Sequence, residues 1–244
     1  MAMKFKIAYL VDFDGTITNR DLSSELPGHF NRERFEAVER QYRRRGIPIR
    51  RWLEENSALL PPDLKALIEL SLSWAELRPG FPEFLERASE NKAPVVVASD
   101  GFGFYIEPIL ERYGLLDKIS ALYCNRTLIS GGKISLQTPH GHPTCRVCGN
   151  CKAYHVAGLK KDGYDVIYIG DGSNDRFGAS WADLVMARDG LAAACREFNL
   201  NYRQWDTFYD IINNDLHLAL GRQGQVLCDP LGDGVILSDR EAER

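Results

Sequence analysis

Four short runs of apolar, mostly β-branched residues recur along the chain, at Ile7–Val11, Val95–Ala98, Val166–Ile169 and Leu184–Met186. Their hydrophobicity is continuous rather than alternating, the pattern of strands covered on both faces. Stretches with apolar residues at helical spacing lie around Phe81–Ser89, Tyr105–Tyr113, Lys152–Lys161 and Gly190–Phe198. Strand alternating with helix predicts an α/β fold on a Rossmann-like parallel sheet.

One interval breaks this rhythm. From Asn19 to Arg78 no convincing strand occurs. Phe35, Val38 and Tyr42 sit at helical spacing within Phe30–Arg45, a segment that ends at Gly46. Pro48–Leu60 and Pro62–Leu77 read as further amphipathic helices, each opening on a proline as helices tolerate. Residues 19–78 are therefore expected to form a small α-helical bundle cap, inserted after the first strand. Residues 1–18 and 79–244 are left as the α/β core. The stretch 221–244, rich in glycine and charge, is expected to be a loosely attached, flexible tail.

Composition removes several function classes. Among 244 residues, 44% are hydrophobic and 26% charged, with a net charge of −4. That is ordinary for a soluble globular protein, and the acidic balance argues against a nucleic-acid partner. No apolar run approaches the ~20 residues of a membrane span, so no membrane partner is expected. The apolar run near the first residue stops at Asp12, too early for a signal peptide. Six cysteines without such a signal point to a reducing, cytoplasmic setting.

The chemistry concentrates at strand ends. Asp12-Phe13-Asp14-Gly15-Thr16 follows the first strand, where open α/β sheets bind ligands. Alternation along an extended chain would send both carboxylates the same way, and like charges so close need a cation or a retained proton. Ser99-Asp100-Gly101 follows the second strand, where a hydroxyl and backbone N–H groups suit a phosphate oxygen. Lys152 opens a helix, and Gly170-Asp171-Gly172-Ser173-Asn174-Asp175 follows the third run. Acids from separate strand ends fit a hard cation with oxygen ligands, Mg²⁺ above all.

Together, Asp12-x-Asp14-Gly15-Thr16, Ser99, Lys152 and Gly170-Asp171 with Asp175 resemble the four motifs of the haloacid dehalogenase superfamily, in the family's order. That resemblance implies a phosphomonoesterase acting on a small organic phosphate. Asp12 would be the nucleophile that forms an aspartyl-phosphate, and Asp14 the general acid and then base. Ser99 and Lys152 would hold the phosphoryl group, with Asp100 beside them. Asp12, Asp14, Asp171 and Asp175 would serve the Mg²⁺ ion. An acid at position 14 matches the phosphatases and phosphomutases of the superfamily rather than its dehalogenases or pumps.

Met186–Asp189, Cys195–Asn201, Tyr123–Asn125 and the cysteine-bearing loop before Lys152 are similar to the methionine-salvage phosphatases that act on 2-hydroxy-3-keto-5-methylthiopentenyl-1-phosphate. Ser99-Asp100-Gly101 instead resembles the phosphoethanolamine and phosphocholine phosphatases. The last motif and Asp21, at the place of an acid that reads the substrate amine, resemble phosphoserine phosphatase. Arg43–Arg45 with Arg50 and Arg51 read as a solvated face or as a substrate contact.

Cys145-x₂-Cys148-x₂-Cys151, with His140 and His142 just before, admits three readings. Three thiolates and one histidine would close a tetrahedral structural Zn²⁺ site. The thiols stay free in the second reading, and one pair forms a disulfide in the third. A zinc-binding, non-catalytic scaffold is the alternative from another functional class, and the intact acid set argues against it.

Overall fold

The computed structural model describes residues 6–45, 48–213, 216, 220–221 and 223–235. Its main sheet contains β1 (Ile7–Val11), β2 (Val95–Phe102), β3 (Ala121–Ser130), β4 (Lys133–Gln137), β5 (Asp165–Gly170), β6 (Leu184–Ala187) and β7 (Tyr202–Gln204). They lie in the order β4-β3-β2-β1-β5-β6-β7, and all neighbours are parallel except β3 and β4. Central β1 pairs with β2 through Tyr9 and Val95, and with β5 through Tyr9 and Ile167. Chain order turns around at this strand, and the crevice beyond its carboxyl end is where such sheets place a ligand.

The strands are apolar throughout because both faces are covered. Val11, Val97, Ile167 and Ile169 pack on one side against α5 (Phe81–Glu90), α6 (Gly103–Arg112) and α10 (Phe208–Ile212). Leu10, Val96, Val166 and Tyr168 face the other way, onto α7 (Lys152–Lys161), α8 (Arg176–Ala179) and α9 (Asp189–Glu197). Leu10 and Val11 are fully buried, and such side chains contribute about 1.5–3 kcal/mol each relative to exposure. This apolar frame fixes the position of Asp12, the next residue.

The antiparallel hairpin β3–β4 is absent from the sequence reading. Its turn holds Gly131 and Gly132, both in the left-handed region that a two-residue hairpin loop requires. That glycine pair was the available signal.

Between β1 and β2 lie α1 (Leu22–Phe30), α2 (Arg32–Arg45), α3 (Ile49–Ser57) and α4 (Leu64–Trp74). The sequence places one helix over Phe30–Arg45, whereas the chain breaks at Asn31 and an additional helix precedes it. Asp21 starts that helix, accepting the N–H of Ser24 at 3.2 Å as an N-cap. Val38, Ile49, Trp52 and Leu53 form a separate small core, with Phe35 and Tyr42 against it. The two ends of the insertion run side by side: Thr18 bridges Leu77, and Asn19 N–H donates to the Glu76 carbonyl at 2.9 Å.

The described part of the expected tail does not hang loose. Leu227 and Cys228 are buried, and β8 (Cys228–Asp229) pairs with β9 (Gly234–Val235). Trp181 Nε1 donates to the Cys228 carbonyl at 2.8 Å, anchoring the segment to the core. Glycine richness there reflects turns within a packed hairpin; residues 236–244 lie outside the described residues.

Candidate active site

Asp12 directly follows β1, and the chain then makes a kinked turn over Phe13–Ile17, interrupted by extended backbone at Asp14 and a reversal at Gly15. Gly15 takes a left-handed φ of 77°, and a β-carbon there would strike the Asp171 carboxylate. Only glycine lets this turn approach the β5 loop so closely. Arg78 closes the turn from below, donating Nη2 to the Gly15 carbonyl at 2.6 Å and Nε to the Thr16 carbonyl at 2.9 Å. No sequence motif marks this arginine; only packing reveals its task.

The turn separates the two acids that alternation had placed together. Asp12 Oδ1 accepts Lys152 Nζ at 2.6 Å, and Lys152 donates equally to Asp175 Oδ1 at 2.6 Å. Tyr168 also donates to Asp175 Oδ1 at 2.6 Å, and Thr16 donates to Asp171 Oδ1 at 2.6 Å. The donor atoms of Asp12, Asp171 and Asp175 lie within 4.8 Å of one another. Asp14 does not join them. Its Oδ2 accepts Tyr105 Oη at 2.6 Å and Ser99 Oγ at 3.4 Å, while Oδ1 accepts the Leu22 amide at 3.0 Å. The expectation that the Asp14 carboxylate joins the metal ligands is corrected to this extent: helical backbone at Phe13 breaks the alternation, so the side chain points away from the three-aspartate cluster.

Electrostatics explain why a cation belongs here. Burial, then the neighbouring Asp175, push Asp171 up to about 7. Asp12 is raised too, by burial and by Asp175, with Lys152 pulling the other way. Three crowded carboxylates ionise together once a hard divalent cation shares them, so the donor set fits such an ion. Asp14 is pushed up to about 8, by burial and by the charge of Asp21. A carboxyl that keeps its proton near neutrality is suited to general-acid work.

Asp12, Asp14, Ser99, Lys152, Asp171 and Asp175 line one cavity of about 220 Å³, together with Tyr42, Ile49, Trp52 and Leu53. Asp21 lines it as well, yet its oxygens already accept Ser23 Oγ at 2.5 Å and Ser24 Oγ at 2.6 Å. Asp100 lies on the wall with its Oδ1 accepting the Asn150 N–H at 2.8 Å, so its carboxylate is engaged in fixing a loop. Gly101 is pinned between Tyr105 and Asp14, where no β-carbon would fit. Tyr105, Tyr168 and Thr16 escaped the sequence reading. Thr16 stands inside the first motif and was within reach; the tyrosines lie inside a helix-like stretch and a strand run and carry no motif of their own. The side chains of Arg43–Arg45 lie outside the described residues.

The zinc expectation is not supported. His142 Nδ1 accepts the backbone N–H groups of Thr144 and Cys145, at 3.2 and 3.0 Å. His140 instead meets the Tyr123 ring edge-on at 5.0 Å. All six cysteines are free, and no thiol or histidine set among the described residues gathers as the three aspartates do. The His142 imidazole is already employed in folding its own loop.

A parallel sheet whose central strand leads into a lysine-paired aspartate beside two further carboxylates fits a phosphoryl-handling hydrolase of the haloacid dehalogenase type. The chain belongs to that family: residues 9–179 match the haloacid dehalogenase-like hydrolases. Among its relatives, the 2-hydroxy-3-keto-5-methylthiopentenyl-1-phosphate phosphatase of Bacillus cereus is 34% identical over 215 residues, covering 87% of this chain and 97% of that protein. The protein of the same name from Exiguobacterium sibiricum is 35% identical, covering 85% and 95%. A substrate-bound phosphoserine phosphatase shares the fold, with a TM-score of 0.65, 19% identity and coverage of 86% and 97%. A phospho-aspartyl intermediate analogue of phosphoserine phosphatase gives a TM-score of 0.64 at 20% identity, covering 86% and 98%. This chain is a phosphoric monoester hydrolase.

Proposed function

We propose that this protein is a Mg²⁺-dependent phosphatase of 2-hydroxy-3-keto-5-methylthiopentenyl-1-phosphate, working through an aspartyl-phosphate on Asp12. The observation that carries this reading is the split of the two acids: one beside Lys152 and the carboxylate cluster, the other turned toward Ser99. An Asp12 oxygen attacks phosphorus, and the bond from phosphorus to the leaving oxygen breaks. Asp14 gives that oxygen its proton. It then takes a proton from the water that attacks the acyl phosphate, releasing inorganic phosphate and free Asp12. Lys152 and Ser99 hold the phosphoryl oxygens. Asp12, Asp171 and Asp175 would hold Mg²⁺, which when bound neutralises phosphate charge that would otherwise repel a carboxylate nucleophile.

The cavity wall supports the substrate. Its described lining contains seven carboxylates against one basic side chain, Lys152, which is already paired twice. A substrate carboxylate would meet repulsion there, which disfavours phosphoserine. Ile49, Trp52 and Leu53 offer apolar surface to a methylthio group. Residues 19–78, with α1–α4, act as the cap that brings this surface over the ester. Phosphocholine or phosphoethanolamine is the second reading, favoured by Glu39 and the Tyr42–Trp52 ring pair at 6.2 Å, which suit a cationic head. The six free thiols fit a reducing compartment and thus a cytoplasmic enzyme.

A panel of phosphomonoesters ranked by kcat/KM with Mg²⁺, and repeated with chelator, tests the proposal. The methylthio enol phosphate should rank first, choline and ethanolamine esters below it, phosphoserine last, and chelator should stop all of them. Phosphoserine in first place would overturn the substrate. Turnover that ignores chelator would overturn the metal.

A further inference from the structure

Lys152 must meet two aspartates, yet it begins a helix whose preceding loop, 138–151, contains neither helix nor strand. The N-cap residue of α7, Cys151, makes no side-chain capping bond. Something else must determine where this helix starts.

Asn150 does so. It is fully buried. Its Nδ2 donates to the Ser99 carbonyl at 3.0 Å and to the Tyr123 carbonyl at 2.7 Å. Its backbone N–H donates to Asp100 Oδ1, as above, and its Oδ1 meets His155 Nε2 at 2.7 Å. Two carbonyl acceptors fix which end of the amide is nitrogen, so Nε2 of His155 must carry the ring proton and donate. One side chain therefore joins β2, β3 and the first turn of α7.

His155 is held in turn. Its ring stacks on Tyr123 at 4.0 Å with an interplanar angle of 1°. Burial, then the neighbouring His140, push its titration down to about 3, so the imidazole stays neutral. Asn125 adds a second tie, donating Nδ2 to the Asp100 carbonyl at 2.6 Å.

We propose that Asn150, oriented by His155, is a positioning residue for phosphoryl transfer, setting the Lys152 ammonium in register with the Ser99 hydroxyl. The proposal rests on the reading above, in which these two groups hold the phosphoryl oxygens. Neither Asn150 nor His155 touches the cavity floor; they act through the start of α7 and the end of β2. A misplacement of about 1 Å at such a site can cost on the order of 10²-fold in rate.

The test compares Asn150→Ala, His155→Leu and His155→Gln, with p-nitrophenyl phosphate as substrate and Mg²⁺ titrated. Glutamine keeps an N–H donor near the position of Nε2, while leucine keeps only bulk. The expected result is a kcat lower by about 10- to 100-fold for Asn150→Ala and His155→Leu. KM should change less than kcat, Mg²⁺ affinity should hold, and glutamine should recover most of the loss. Unchanged kcat in His155→Leu, or a glutamine variant as slow as the leucine variant, would overturn the proposal even if Asn150→Ala fails to fold. A Lys152→Met enzyme that still turns over would remove the premise instead, which separates the two failures.

Discussion

At the scale of single residues, the site works because neighbouring acids have different surroundings. Asp12 faces a lysine and two carboxylates, whereas Asp14 faces two hydroxyls and a backbone amide. Asp14→Asn should therefore slow phosphorylation by alkyl phosphates about 10²- to 10⁴-fold, the usual reach of general-acid catalysis. p-Nitrophenyl phosphate, whose leaving group needs little protonation, should suffer much less. Single-turnover rates for both esters check this, and equal losses would count against the acid role. His155 makes a second expectation. Its folded value, about 3, lies below the unfolded value of about 6.5. The unfolded chain therefore binds the extra proton first, and stability falls as pH drops through the window between them, at up to about 1.4 kcal/mol per pH unit. His140 and Lys152 face this ring and share its field. Chemical denaturation from pH 7 to 4 should show a shallower acid loss in His155→Gln than in the parent.

At the scale of elements, what could be read in advance was what rests on periodicity. The strands Ile7–Val11 and Val166–Ile169 stood out because burial on both faces leaves no polar position. The helix at Lys152–Lys161 was found with the bounds the structure shows. The edge hairpin was missed because β3 and β4 are largely solvated, and their polar residues hide the pattern. Helix α1 was missed for another reason: Asp21 was read as a substrate residue, and its capping role went unnoticed. Asp21→Ala should cost about 0.5–2 kcal/mol through that lost cap. Thermal melts with kinetics beside them would show it, as a lower Tm with kcat/KM for p-nitrophenyl phosphate largely kept. The acids of the site were legible by spacing, but not their orientation. Asp12 and Asp14 are two residues apart in any conformation, and the helical backbone at the intervening Phe13 decides that they point different ways.

At the scale of the whole molecule, the site draws on β1, β2, β5 and α7, so binding an ion ties together segments far apart in sequence. Mg²⁺ at a hundredfold excess over its Kd should add about 2.7 kcal/mol to stability. Differential melting with Mg²⁺ and with chelator should show the gain, and Asp171→Asn should abolish most of it. Such a variant responding like the parent would place the ion elsewhere.

The amide of Leu22 belongs to the first residue of α1, yet it holds an oxygen of Asp14. A displacement of that helix would take a hydrogen bond away from Asp14. In the proposed mechanism, a cap that moved to admit the ester would change the surroundings of its acid in the same step.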